Sequence, residues 1–146
     1  MVLFKQRQIL YCCALAALLL LSRTALAEVV VVAGAKNSSI VLSKNQISDL
    51  FLGKVVSLPD GHNAALIDQP ETNPVRDEFY SKVANKSAAQ AKALWAKLYF
   101  TGRGVPPREG TDSGNVKKLV NSTPGAIGYI EQASLDDSVH VIFVAR

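Results

Sequence analysis

The sequence predicts an α/β sandwich, and three observations carry that expectation. Val29-Val30-Val31-Val32 is a β-branched run without polar alternation, the pattern of a strand covered on both faces. Two Ser-x-x-Gln capping boxes, at Ser43 and Ser87, each open a stretch with apolar residues at helical spacing. Such strand-like and helix-like stretches then alternate to the end of the chain, as they do in α/β domains.

The chain of 146 residues opens on what reads as an export signal. Lys5 and Arg7 are followed by an almost unbroken apolar run from Ile9 to Leu21 and by Ala25-Leu26-Ala27, the three-part pattern of a secretory signal peptide. The run is shorter than the about 20 residues that a bilayer-spanning helix needs. Residues 1–27 are therefore expected to be cleaved, leaving one domain at 28–146 with no stable membrane span and a periplasmic or secreted location. Both cysteines, Cys12 and Cys13, fall inside the signal, so disulfides, thiolate metal sites and cysteine nucleophiles are not expected in the exported protein. The formal charge of +4 shrinks as well, because residues 28–146 hold 13 Lys plus Arg against 12 Asp plus Glu. A nucleic-acid partner loses its electrostatic support.

The elements follow in order. Glu28 to Ala33 forms the first strand, and Ile40 to Leu42 reads as an extension of the same hairpin or a lead-in to the next element. Ser43 and Gln46 begin a short helix carrying Ile47, Leu50 and Phe51, with Gly53 as its stop. After the turn cluster Pro59-Asp60-Gly61-His62-Asn63, Ala64 to Ile67 is a short buried strand ending at Asp68. Asn73 and Pro74 suit the N-cap and first position of a helix whose buried face is Val75, Phe79 and Val83, flanked by Tyr80. The Ser87 box starts a longer helix through Ala91, Leu94, Trp95 and Leu98 to about Phe100, broken by Thr101 to Pro107. Thr111 to Ser113 caps a helix with Val116, Leu119 and Val120, which Pro124-Gly125 ends. Ile127 to Ile130 and Val139 to Val144 are the closing strands.

Catalytic signatures are missing from this sequence. His62 and His140 are isolated, with no metal-ligand spacing around them, and no nucleophile elbow, zinc helix or phosphate loop occurs. Neither an enzyme nor a cofactor is expected. Gly102-Arg103-Gly104 reads as a surface turn. The informative segment is the strand-to-helix junction from Asp68 to Arg76. Free N–H groups and the dipole of a helix N-terminus favour an anion, and Thr72, Asn73 and Arg76 are the side chains able to converge on one. An ordinary capped helix is the simpler reading of the same residues, since Asp77 and Glu78 in the first turn already complement the dipole.

Ile47-Ser48-Asp49-Leu50-Phe51-Leu52-Gly53-Lys54 resembles a helix-then-LGK stretch of the periplasmic phosphate-binding proteins of ABC transporters, and Pro124-Gly125-Ala126-Ile127-Gly128-Tyr129-Ile130-Glu131 resembles their PGAIGY hairpin. Thr101 to Pro107 is similar to the small, single-lobe exported relatives of that family. The resemblance spans nearly all of 28–146 but only the second lobe of the two-lobed proteins. It implies a single lobe of a type 2 periplasmic-binding-protein-like (PBP-like) fold, a mixed sheet flanked by helices.

The resemblance also implies a ligand, phosphate or a similar oxyanion, at the Asp68 to Arg76 junction. Here the chain departs from the family: Gln69 stands where the family has an Arg, and Asn73-Pro74-Val75 where it has Ser-Gly-Thr. A cation, a hydroxyl and one N–H donor are lost, so binding is expected to be weak, with Arg76 as the substitute cation. The alternative expectation is an envelope interaction or accessory protein that keeps the lobe as a scaffold, its partner another envelope protein or a second copy of the chain.

Overall fold

A computed structural model describes residues 28–37 and 39–146; the expected signal peptide lies outside them. Five strands form one sheet: β1 (Val29–Gly34), β2 (Ala65–Asp68), β3 (Arg108–Glu109), β4 (Ala126–Glu131) and β5 (Val139–Ala145), in the spatial order β3-β2-β4-β1-β5. β2 runs parallel to β3 and β4, whereas β1 is antiparallel to β4 and β5, so the sheet is mixed. The helices are α1 (Lys44–Phe51), α2 (Pro74–Ala84), α3 (Ala88–Phe100) and α4 (Ser113–Ser122).

The valine run of β1 explains the layering. Successive side chains leave a strand on opposite faces. Val29 and Val31 join Ile127, Tyr129 and the buried residues of α1 and α2, while Val30 and Val32 join Ile130 and the buried residues of α4, Val116 and Val120. Three helices thus cover one face and one helix the other. α4 lies close to the sheet because β4 offers it Gly128, where an added Cβ would fall 2.6 Å from Val116 Cγ1. Trp95 couples α3 to α1 by donating its indole N–H to the carbonyl of Phe51 at 2.8 Å.

Both capping boxes form. Ser43 Oγ accepts from the Gln46 N–H while Gln46 Oε1 accepts from the Ser43 N–H, and Ser87 and Gln90 repeat the exchange. Asn73 caps α2 with Pro74 in its first turn, and within the expected Thr111 to Ser113 stretch it is Asp112 that caps α4. Residues 40–42 form no strand, which corrects the hairpin reading. Both edges of β1 are already occupied by β4 and β5, so no partner remains for that segment. Leu42 packs into the core instead and Val41 is left exposed. β3 was not expected: two polar residues after two prolines carry no alternation, and only pairing with Ile67 and Asp68 makes them a strand.

Candidate functional site

β2, β3 and β4 point their carboxyl ends toward the N-terminus of α2, the end of a parallel α/β arrangement where ligands usually sit. Asp68 closes β2 there, buried, and its carboxylate gathers four donors. Oδ1 accepts from the Tyr129 hydroxyl and, at 2.8 Å, from the Gln69 backbone N–H. Oδ2 accepts from the Tyr80 hydroxyl at 2.8 Å and lies 3.3 Å from Arg76 Nη2. Gln69 has no exposed surface. Its Nε2 donates to Ser113 Oγ and to the Tyr129 carbonyl, and its Oε1 accepts from Asn73 Nδ2 at 2.8 Å. A near-complete polar network in low dielectric holds its members rigidly.

The three side chains expected to meet an anion are placed differently from one another. Thr72 is exposed in the turn before α2. Asn73 accepts from the Val75 N–H as the cap, with its amide nitrogen engaged by Gln69. Arg76 is 7% exposed, its guanidinium carbon 5.9 Å from the centre of the Tyr80 ring and its Nε–H without a partner. Of the three, only Arg76 borders a cleft of about 240 Å³ that also touches Asp68, Glu71, Lys92, Trp95 and Glu109. Glu71 and Lys92 pair across its rim at 2.6 Å, and that neighbouring ammonium holds the Glu71 carboxyl below its ordinary range. The cleft thus carries three carboxylates against two cations, a balance that disfavours a free anion. Of the two acids expected in the first turn of α2, Asp77 lies there and Glu78 does not. Asp77 accepts from the Ala88 N–H at the start of α3, and Glu78 lies 3.9 Å from Lys82.

Asp68, Tyr80, Tyr129 and Ser113 were not expected as a unit. The available signal was Asp68 itself, an acid ending an apolar strand, which requires a buried partner set. Burial, then the Asp68 charge, push the hydroxyls of Tyr80 and Tyr129 far above their ordinary range. A raised folded value means the folded protein keeps these protons while the unfolded chain releases them above about pH 10, so stability present below that pH is lost as pH rises. Each tyrosine should steepen the decline by about 1.4 kcal/mol per pH unit. Urea midpoints measured from pH 9 to 11 check this, with Tyr80→Phe expected to remove one tyrosine's share of the slope.

Solved structures with this architecture carry the comparison further. A protein from Clostridium perfringens described as a phosphate ABC transporter substrate-binding protein, with bound phosphate, superposes with a TM-score of 0.63 at 24% identity, covering 80% of this chain and 44% of the other. An ABC-type phosphate transport receptor from Vibrio cholerae gives 0.62 at 18% identity, over 80% and 45% of the two chains. PstS from Borrelia burgdorferi gives 0.59 at 11% identity, over 80% and 46%. The chain has the fold of one PBP-like lobe. It spans less than half the length of each of these structures. No protein-family model and no curated protein sequence matches it. No helix among the described residues is long and apolar enough to cross a membrane, and no group of metal-ligating side chains is found among them.

Proposed function

We propose that the protein is an exported, non-enzymatic binding-protein-like lobe that takes phosphate or a similar oxyanion weakly at the junction of Thr72, Asn73 and Arg76. The observation that carries the reading is Arg76 at the mouth of the cleft beside the α2 N-terminus, its Nε–H still without a partner. Weakness follows from the surroundings. Asp68 already shares the guanidinium, Pro74 has no N–H to offer, and Glu71 and Glu109 oppose an incoming anion. A dissociation constant in the millimolar range, about 4 kcal/mol of binding, is the expected result of calorimetric titration with inorganic phosphate. Pro74→Gly restores an N–H at the helix start and should tighten binding severalfold, whereas Arg76→Lys, which retains only a point charge, should weaken it. Heats equal to those of dilution up to about 10 mM phosphate, for the parent protein and for Pro74→Gly, overturn the proposal.

The scaffold reading has its own observation in support: the Asp68 carboxylate occupies the guanidinium from which an anionic ligand would draw its charge complement. On that reading an envelope protein or a second copy of the chain is the partner. Affinity capture from envelope extract recovering a reproducible partner, with no phosphate heats, is the outcome that selects it.

A further inference from the structure

We infer that the tip formed by the end of α3 and the following loop docks onto an anionic lipid surface. Phe100 is 85% exposed, Tyr99 58% and Val105 78%. These are large apolar side chains on the solvent side, whereas Phe51, Phe79, Tyr80, Trp95 and Tyr129 are buried. The two rings meet edge to face at 5.8 Å, and the chain turns directly after them, with the Gly102 N–H donating to the Tyr99 carbonyl and the Arg103 N–H to the Leu98 carbonyl. A Cβ built on Gly102 would meet no atom within 4 Å, so this turn is open to solvent, while Val105 lines a cleft of about 290 Å³ together with Val55, Val56 and Trp95.

Charge selects the occupant. Residues 91–108 hold Lys92, Lys97, Arg103 and Arg108 and no acidic residue, while the rest of 28–146 holds nine cations against twelve acids. Lys92 is spent on Glu71, but Lys97, Arg103 and Arg108 are exposed and make no ion pair among the described residues. Glu109, next to Arg108, is the acid at the margin of this surface. Cations unpaired among the described residues, on the same stretch of chain as exposed aromatic and aliphatic side chains, match the headgroup region of a bilayer. There aromatic rings settle at the boundary, basic side chains meet lipid phosphates, and a yielding surface needs no preformed groove.

Co-sedimentation of the protein with vesicles tests the inference. With phosphatidylcholine containing about a third phosphatidylglycerol the protein should pellet, and at about 0.5 M salt it should be released. Phe100→Ala and Arg103→Glu, both at exposed positions, should each lower partitioning by roughly tenfold with an unchanged circular dichroism spectrum. The inference is overturned by equal partitioning onto pure phosphatidylcholine, by retention in Phe100→Ala, or by no partitioning at all. A dimer in analytical ultracentrifugation that Phe100→Ala dissociates, without vesicle binding, likewise overturns it and assigns the tip to a second copy.

Discussion

Asp68→Ala is expected to destabilise the protein by about 3–5 kcal/mol, the usual cost of removing one partner from a buried ion pair. The change strands Arg76 with a charge and no counter-ion at a position 7% exposed, and takes the acceptor from two buried tyrosine hydroxyls and one backbone N–H. Set against a total stability of about 5–15 kcal/mol, this leaves a marginal fold. Urea denaturation of the parent and variant proteins measures it. Arg76→Ala should cost less, because the remaining carboxylate keeps three hydrogen bonds in its absence, and the double variant should show strong non-additivity. A loss under about 1 kcal/mol for Asp68→Ala would show that the guanidinium relaxes into the cleft and water.

Phe79→Ala should be about equally damaging, at about 3–5 kcal/mol. Phe79 is fully buried and lies flat against Tyr129, with ring centres 3.9 Å apart and planes 2° from parallel, and it meets Phe51 edge-on at 4.7 Å and Tyr80 at 5.2 Å. Removing the ring opens a cavity that helix and sheet cannot both collapse into. The same loss frees the Tyr129 ring whose hydroxyl holds Asp68, so damage to the core reaches the junction. Equilibrium urea unfolding gives the energy, and near-ultraviolet circular dichroism should report loosened tyrosine packing. Phe79→Leu, which fills most of the volume, should cost clearly less.

These two positions also mark how far sequence reasoning reached. The spacing of Val75, Phe79 and Val83 announces a buried helical face, and Phe79 does sit in the core. That its ring stacks on Tyr129, 50 positions along the chain, has no local signature. The junction divides in the same way. Asn73 as cap and Pro74 in the first turn are legible, because capping is a transaction between residues two or three apart. The partner of Arg76 is not, because Asp68 lies across the turn between strand and helix and is oriented by hydroxyls from α2 and β4.

Residues 28–146 announce in one dimension whatever depends on near neighbours: the both-faces-buried valine strand, the two capping boxes, the alternation of strand and helix, and the PGAIGY stretch, which is the start of a strand, β4, and not a hairpin. Three-dimensional packing added β3, which is a strand only through Ile67 and Asp68, and closed residues 40–42 out of the sheet by filling both edges of β1. It also assigned the one buried guanidinium at the junction to an internal carboxylate. Hydrogen-bond and charge partners in a buried network are chosen by proximity in space among residues up to 61 apart in sequence, and no periodicity along the chain encodes that choice.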